Sequence, residues 1–112
     1  MENIIEIKSF NFAVRIVKLN KYLCDKNEYT LSNQLLRSGT SIGANVSEAE
    51  QAQSTADFVS KMSIALKETS ETKYWLRLLN ETDYITDSQF NSIFEDCIEL
   101  EKILVSIIKS TK

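Results

Sequence analysis

The sequence predicts an all-α protein, an antiparallel up-down-up-down four-helix bundle with left-handed packing. Three observations carry that expectation. Proline is absent and glycine occurs only twice in 112 residues, so the chain lacks the residues that break helices and shape tight hairpins. Apolar residues recur at three- and four-residue spacing through four long segments. The polar stretches between those segments are too short to divide domains, so residues 1–112 read as a single domain, and 43% hydrophobic content fills its core without disulfide or metal.

The first helix is expected over 4–24, with Ile5, Phe12, Ile16, Leu19 and Leu23 on its core side and Phe10, Ala13 and Val17 widening that stripe. Asp25-Lys26-Asn27-Glu28 then breaks the pattern, and Thr30 is placed to cap the second helix. That helix is expected over 31–53, with Leu31, Leu35, Ile42, Val46 and Ala49 on one side. Ser54 or Thr55 can cap the third, over 56–81, whose inward side reads Phe58, Met62, Ala65, Leu66, Thr69, Thr72, Leu76 and Leu79. Thr86-Asp87-Ser88-Gln89 is a capping box, in which threonine oxygen and glutamine amide satisfy opposite free backbone donors. It opens the last helix, over 87–110, with Phe90, Ile93, Phe94, Cys97, Leu100, Leu104, Ile107 and Ile108. At ~1.5 Å per residue such helices extend about 30 to 40 Å, too long for a compact mixture of short helices. Short connections make sequence neighbours antiparallel, and coiled-coil-like packing gives the left-handed bundle.

Composition excludes most chemistry. No histidine exists to complete a metal cluster or act as a neutral-pH base, and Cys24 and Cys97 lie far apart with no CxxC spacing. Free thiols in a reducing cytosol follow, with no metal and no cofactor. The N-terminus carries Glu2 and Glu6 where a signal peptide needs positive charge, and no apolar run approaches the ~20 residues of a membrane span. A cytoplasmic protein without a membrane segment is the expectation. Glu68 and Glu71 share a helix face, but such pairs are common on solvated helices and no nucleophile–base set joins them, so no enzyme is expected.

The net charge of −3 opposes phosphate-backbone binding. Its distribution is uneven: residues 7–24 hold Lys8, Arg15, Lys18 and Lys21 with no acid, whereas residues 27–60 hold Arg37 as their one cation. The four cations of the first helix are either a solvated face or a modest nucleic-acid face.

Gly39 and Gly43 form GxxxG within the second helix, where each glycine costs roughly 1 kcal/mol relative to alanine. Close approach of a neighbouring helix, or a ligand touching the backbone, offsets that cost; the flanking Arg37, Glu48 and Glu50 exclude a membrane dimer. Arg37, Ser41, Asn45 and Glu48 make one polar stripe opposite the apolar side, either solvated or packed in a hydrogen-bonded interface. Ile64, Glu68, Glu71, Trp75 and Leu78 make a second stripe on the third helix, turned away from Phe58. Large apolar residues on an outward face mark an association surface, so self-assembly is expected there, with Arg37 meeting one or both glutamates; Trp75 lying across the bundle's own surface is the alternative.

The run Gln34-Leu35-Leu36-Arg37-Ser38-Gly39-Thr40-Ser41-Ile42-Gly43-Ala44-Asn45-Val46-Ser47-Glu48-Ala49 resembles the signature of 23S rRNA-intervening sequence proteins, and Phe58, Ile64-Ala65 and Glu71 recur at positions that family uses. The resemblance is strong over the middle of the chain and rests on helix pattern at the ends. Members of that family were first noticed as open reading frames within insertions in bacterial 23S ribosomal RNA genes. A related branch, the accessory variability determinants of diversity-generating retroelements, resembles pentameric barrels that bind reverse transcriptase and nucleic acid through basic surfaces. The resemblance therefore implies a homo-oligomer, a pentamer by analogy, acting as a scaffold; the alternative is an RNA-associated accessory protein using the first helix.

Overall fold

A computed structural model describes residues 3–111 as four helices: α1 Ile4–Asp25, α2 Thr30–Ala49, α3 Thr55–Glu81 and α4 Asp87–Thr111. Among the described residues there is no strand. The molecule is a rod of 44 × 23 × 20 Å, as long as its helices. Each helix packs on its sequence neighbour, α4 returns to α1, and the diagonal pairs do not meet, which is the square of an up-down-up-down bundle. Contacts run in opposite senses along neighbouring helices. Asn3 bonds to Glu50 and Asn20 to Ser32 between α1 and α2, while Lys8 meets Glu99 and Arg15 meets Ser92 between α1 and α4.

Side chains that compete for backbone groups set the helix ends. Glu6 N–H donates to Asn3 Oδ1 at the start of α1. At its end Asn27 adopts φ 64°, and Glu28 N–H and Asn27 N–H return to Leu23 O and Cys24 O. The same double closure ends α3, with Asp83 at φ 67° and Tyr84 N–H on Leu79 O. Asparagine and aspartate take the left-handed positions that glycine usually fills, since both glycines lie inside α2.

Two expected boundaries move. Thr30 is the first helical residue of α2 and does not cap it; the Glu28 carboxylate, 8% exposed, accepts Ser32 N–H at 2.8 Å instead. And α2 stops at Ala49, not at residue 53. Ser54 must be extended to accept Asp57 N–H, and Asp57 Oδ2 takes Gln53 N–H, so the chain at 53–54 is committed to the α3 cap. The capping box of α4 forms as expected, with Thr86 N–H on Gln89 Oε1 and Gln89 N–H on Thr86 Oγ1.

The core is continuous through all four helices and includes Phe12, Ile16, Leu35, Ile42, Met62, Leu76, Leu79, Cys97, Leu100 and Leu104. Gly39 and Gly43 lie where α1 crosses α2. A Cβ on Gly39 would stand 2.7 Å from Ile16 Cγ1, and one on Gly43 would stand 3.2 Å from Ser9 O. A Cβ at Gly39 would displace the buried Ile16 side chain, and one at Gly43 would need the Ser9 backbone of α1 to give by a few tenths of an ångström. On α1 the core stripe is narrower than expected. Phe10 is 68% exposed and Val17 38%, because the inward arc of that helix is completed by Ser9 and Ile16 against the glycines.

Candidate interaction surfaces

Between α2 and α3 the two polar stripes meet within one chain. Arg37 Nη2 pairs with Glu71 Oε2, Arg37 Nη1 lies 3.5 Å from Glu68 Oε2, and Trp75 Nε1 donates to Glu71 Oε2 at 2.9 Å. Glu68 is almost covered, and its Oε2 accepts no hydrogen bond: at 3.5 Å the guanidinium compensates its charge without satisfying its lone pair. Arg37 itself stays half-exposed. Ser41 and Asn45 donate to carbonyls of their own helix, Arg37 O and Ser41 O, and Glu48 is exposed. Ile64 is 38% exposed, while Trp75 and Leu78 are half-buried and Trp75 leans on the core. The lone cation of the acidic stretch thus has its carboxylates inside the fold.

The α1–α4 seam has the thinnest packing of the four, and polar side chains bridge it. Lys8 Nζ is 3.1 Å from Glu99, and Arg15 reaches Asp96 at 2.6 Å and Ser92. Two of the four cations on α1 are therefore engaged by acids of α4, and Lys18 and Lys21 remain exposed without an ion pair among the described residues. Lys18 and Arg15 border a groove of about 550 Å³ floored by Leu19, Ile85 and Ile93.

A third surface went unread in the sequence. Ile7 (43% exposed), Phe10 (68%), Val14 (37%) and Val17 (38%) stand in one row on the side of α1 away from the core. Their spacing of three, four and three is that of a helix seam. Phe10 and Val17, expected to widen the core stripe, belong to this outward row instead. Beside it α2 presents the small residues Thr40, Ala44 and Ser47, leaving a groove of about 270 Å³.

No group of three or more potential metal ligands occurs among the described residues, and no helix there is long and apolar enough to cross a membrane. Cys24 and Cys97 are free. Burial pushes the Cys97 thiol up to about 12, so it stays a neutral weak donor, aimed at Thr69 O.

Comparison with known proteins places this bundle. The family described as 23S rRNA-intervening sequence protein matches residues 1–106. A crystal structure of a protein of unknown function from the S23 ribosomal protein family of Bacteroides thetaiotaomicron is similar with a TM-score of 0.93 and 58% identity, covering 94% of this chain and 98% of that one. No curated protein matches.

Proposed function

The chain belongs to the 23S rRNA-intervening sequence protein family, and from that premise we propose that it is a non-enzymatic, self-assembling scaffold that presents its helices to partners. The observation that carries this reading is the large apolar surface left outside a closed core, above all Ile7, Phe10, Val14 and Val17 on α1 and Ile64 on α3. Side chains of this size cost free energy in water, roughly 25 cal/mol per Å² of apolar surface, and rows of them mark sites of association. The α2–α3 cluster around Arg37, Glu71 and Trp75 supplies a second polar-edged patch, and the family resemblance makes a ring of five the expected order.

The RNA-associated reading draws on Lys18, Lys21 and the groove beside them. It is weakened by the engagement of Lys8 and Arg15 with Glu99 and Asp96. Light scattering across a dilution series tests the assembly: masses well above the 12.8 kDa of one chain support it, and a monomer at every concentration overturns it. Binding to a generic RNA that falls steeply with rising salt would favour the alternative.

A further inference from the structure

The α1–α4 seam opens where α1 ends and α4 begins, and the cause is local. Ser88 and Ser92, one turn apart on α4, are short side chains that leave room beside α1, whereas further along the seam Asp96 and Glu99 reach across to Arg15 and Lys8. The space left is the groove of about 550 Å³, within the ~300–1,000 Å³ of small-molecule sites. Its floor is the closed core at Ile85 and Ile93, and the half-buried Leu19 and the Tyr22 ring form an apolar wall. Arg15 and Lys18 also line it, and no carboxylate does, in a chain whose net charge is −3. The cavity of about 230 Å³ beyond Arg15 differs in this respect, since Lys8 and Arg15 face Asp96 and Glu99 there.

The two cations are not equivalent. Arg15 donates to Asp96 Oδ2 at 2.6 Å, to Ser92 O at 3.2 Å and to Ser92 Oγ at 3.0 Å, so its guanidinium is fixed in place and its charge is offset. A guanidinium has five donors, and these three bonds leave it donors to spare. Lys18 is exposed and makes no ion pair among the described residues. One uncompensated positive charge beside a fixed donor suits a monoanion, and the apolar floor and wall suit a ligand whose anionic group is carried on a hydrocarbon body. We propose that this groove binds a small amphipathic carboxylate, its head between Lys18 and Arg15 and its body along Leu19 and the Tyr22 ring. The site uses neither the outward row of α1 nor the Arg37 cluster, so it holds whether or not chains associate.

Titration of the full chain with octanoate, followed by amide ¹H–¹⁵N chemical shifts, tests the site, with circular dichroism melts to show that each variant folds. Saturable shifts should concentrate at residues 15–22 and 85–93. Acetate and inorganic phosphate, which carry charge without the body, and 1-octanol, which carries the body without the charge, should each bind at least roughly tenfold more weakly. Lys18→Glu should weaken octanoate by roughly tenfold or more, the size of one charge-assisted hydrogen bond, and Ser88→Trp should do the same by filling the groove. Phe10→Glu, on the outward face of α1, should leave the affinity unchanged. Octanol binding as well as octanoate, or phosphate binding as well, overturns the proposal. So do shifts centred on Ile7, Phe10 and Val14, an affinity indifferent to Lys18→Glu and Ser88→Trp, or the absence of saturable shifts.

Discussion

Helix α1 carries two apolar rows of similar chemistry and opposite fate. Its inward row, Ile5, Phe12, Ile16 and Leu23, is at most 2% exposed, while its outward row, Ile7, Phe10, Val14 and Val17, is 37–68% exposed. Propensity does not separate them, and neither does hydrophobicity. What separates them is that the inward row faces helices that come close: α2 removes its own side chains at Gly39 and Gly43 so that Ile16 and Ser9 can seat. Burial on a helix is decided by what the neighbours make room for, and an apolar row that no neighbour accommodates is available to another molecule.

The widest expected gap between the rows is in stability. Ile16→Ala should cost about 2–5 kcal/mol, since the site is closed and relaxes little. Phe10→Ala, measured where the chain is dilute enough to be monomeric, should stay within about 0.5 kcal/mol of the parent. Urea midpoints read both, and equal costs would erase the distinction between the rows.

Next in size is an alkaline effect that extends the comparison to α4. Cys97 is raised from an ordinary 9.0 to about 12 by burial, so the folded chain holds a proton that the unfolded chain releases. Its contribution is fully present below pH 9 and is lost as pH climbs from 9 towards 12, by roughly 4 kcal/mol at ~1.4 kcal/mol per unit. Cys97→Ala should flatten that decline in denaturant titrations. At pH 8 a thiol reagent should modify the half-buried Cys24 and leave Cys97 untouched.

A smaller loss is expected at the other surface. Arg37→Ala strands the covered Glu68 and removes a partner of Glu71, but Arg37 is half-exposed and screened by solvent. A cost of about 1–2 kcal/mol follows, between an exposed pair and a buried one. A melt identical to the parent's would show that the guanidinium contributes nothing to the α2–α3 seam.

Much of this was legible before any coordinates. Absent proline, long periodic segments and the Thr86–Gln89 box are local signals, and they fix four helices and the caps at Ser54 and Thr86. The end of α2 was not, because it depends on Asp57 reaching back to Gln53 N–H, and neither was the cap at Glu28, a residue type seldom used there. Arg37 stood out as a lone cation with two carboxylates one helix away; spacing could not say whether they meet inside one chain or across two. The outward row of α1 escaped because that helix is apolar around most of its circumference, and periodicity alone does not say which face the other helices occupy.

The most direct test of the self-assembly account is whether Phe10 is covered when chains associate. A thiol placed there as Phe10→Cys, in a Cys24→Ser background, is exposed in the single chain. Its rate of modification should fall by roughly tenfold or more between dilute protein and the concentrations at which light scattering shows an assembly. An unchanged rate across the dilution series, in protein that assembles, would contradict the account.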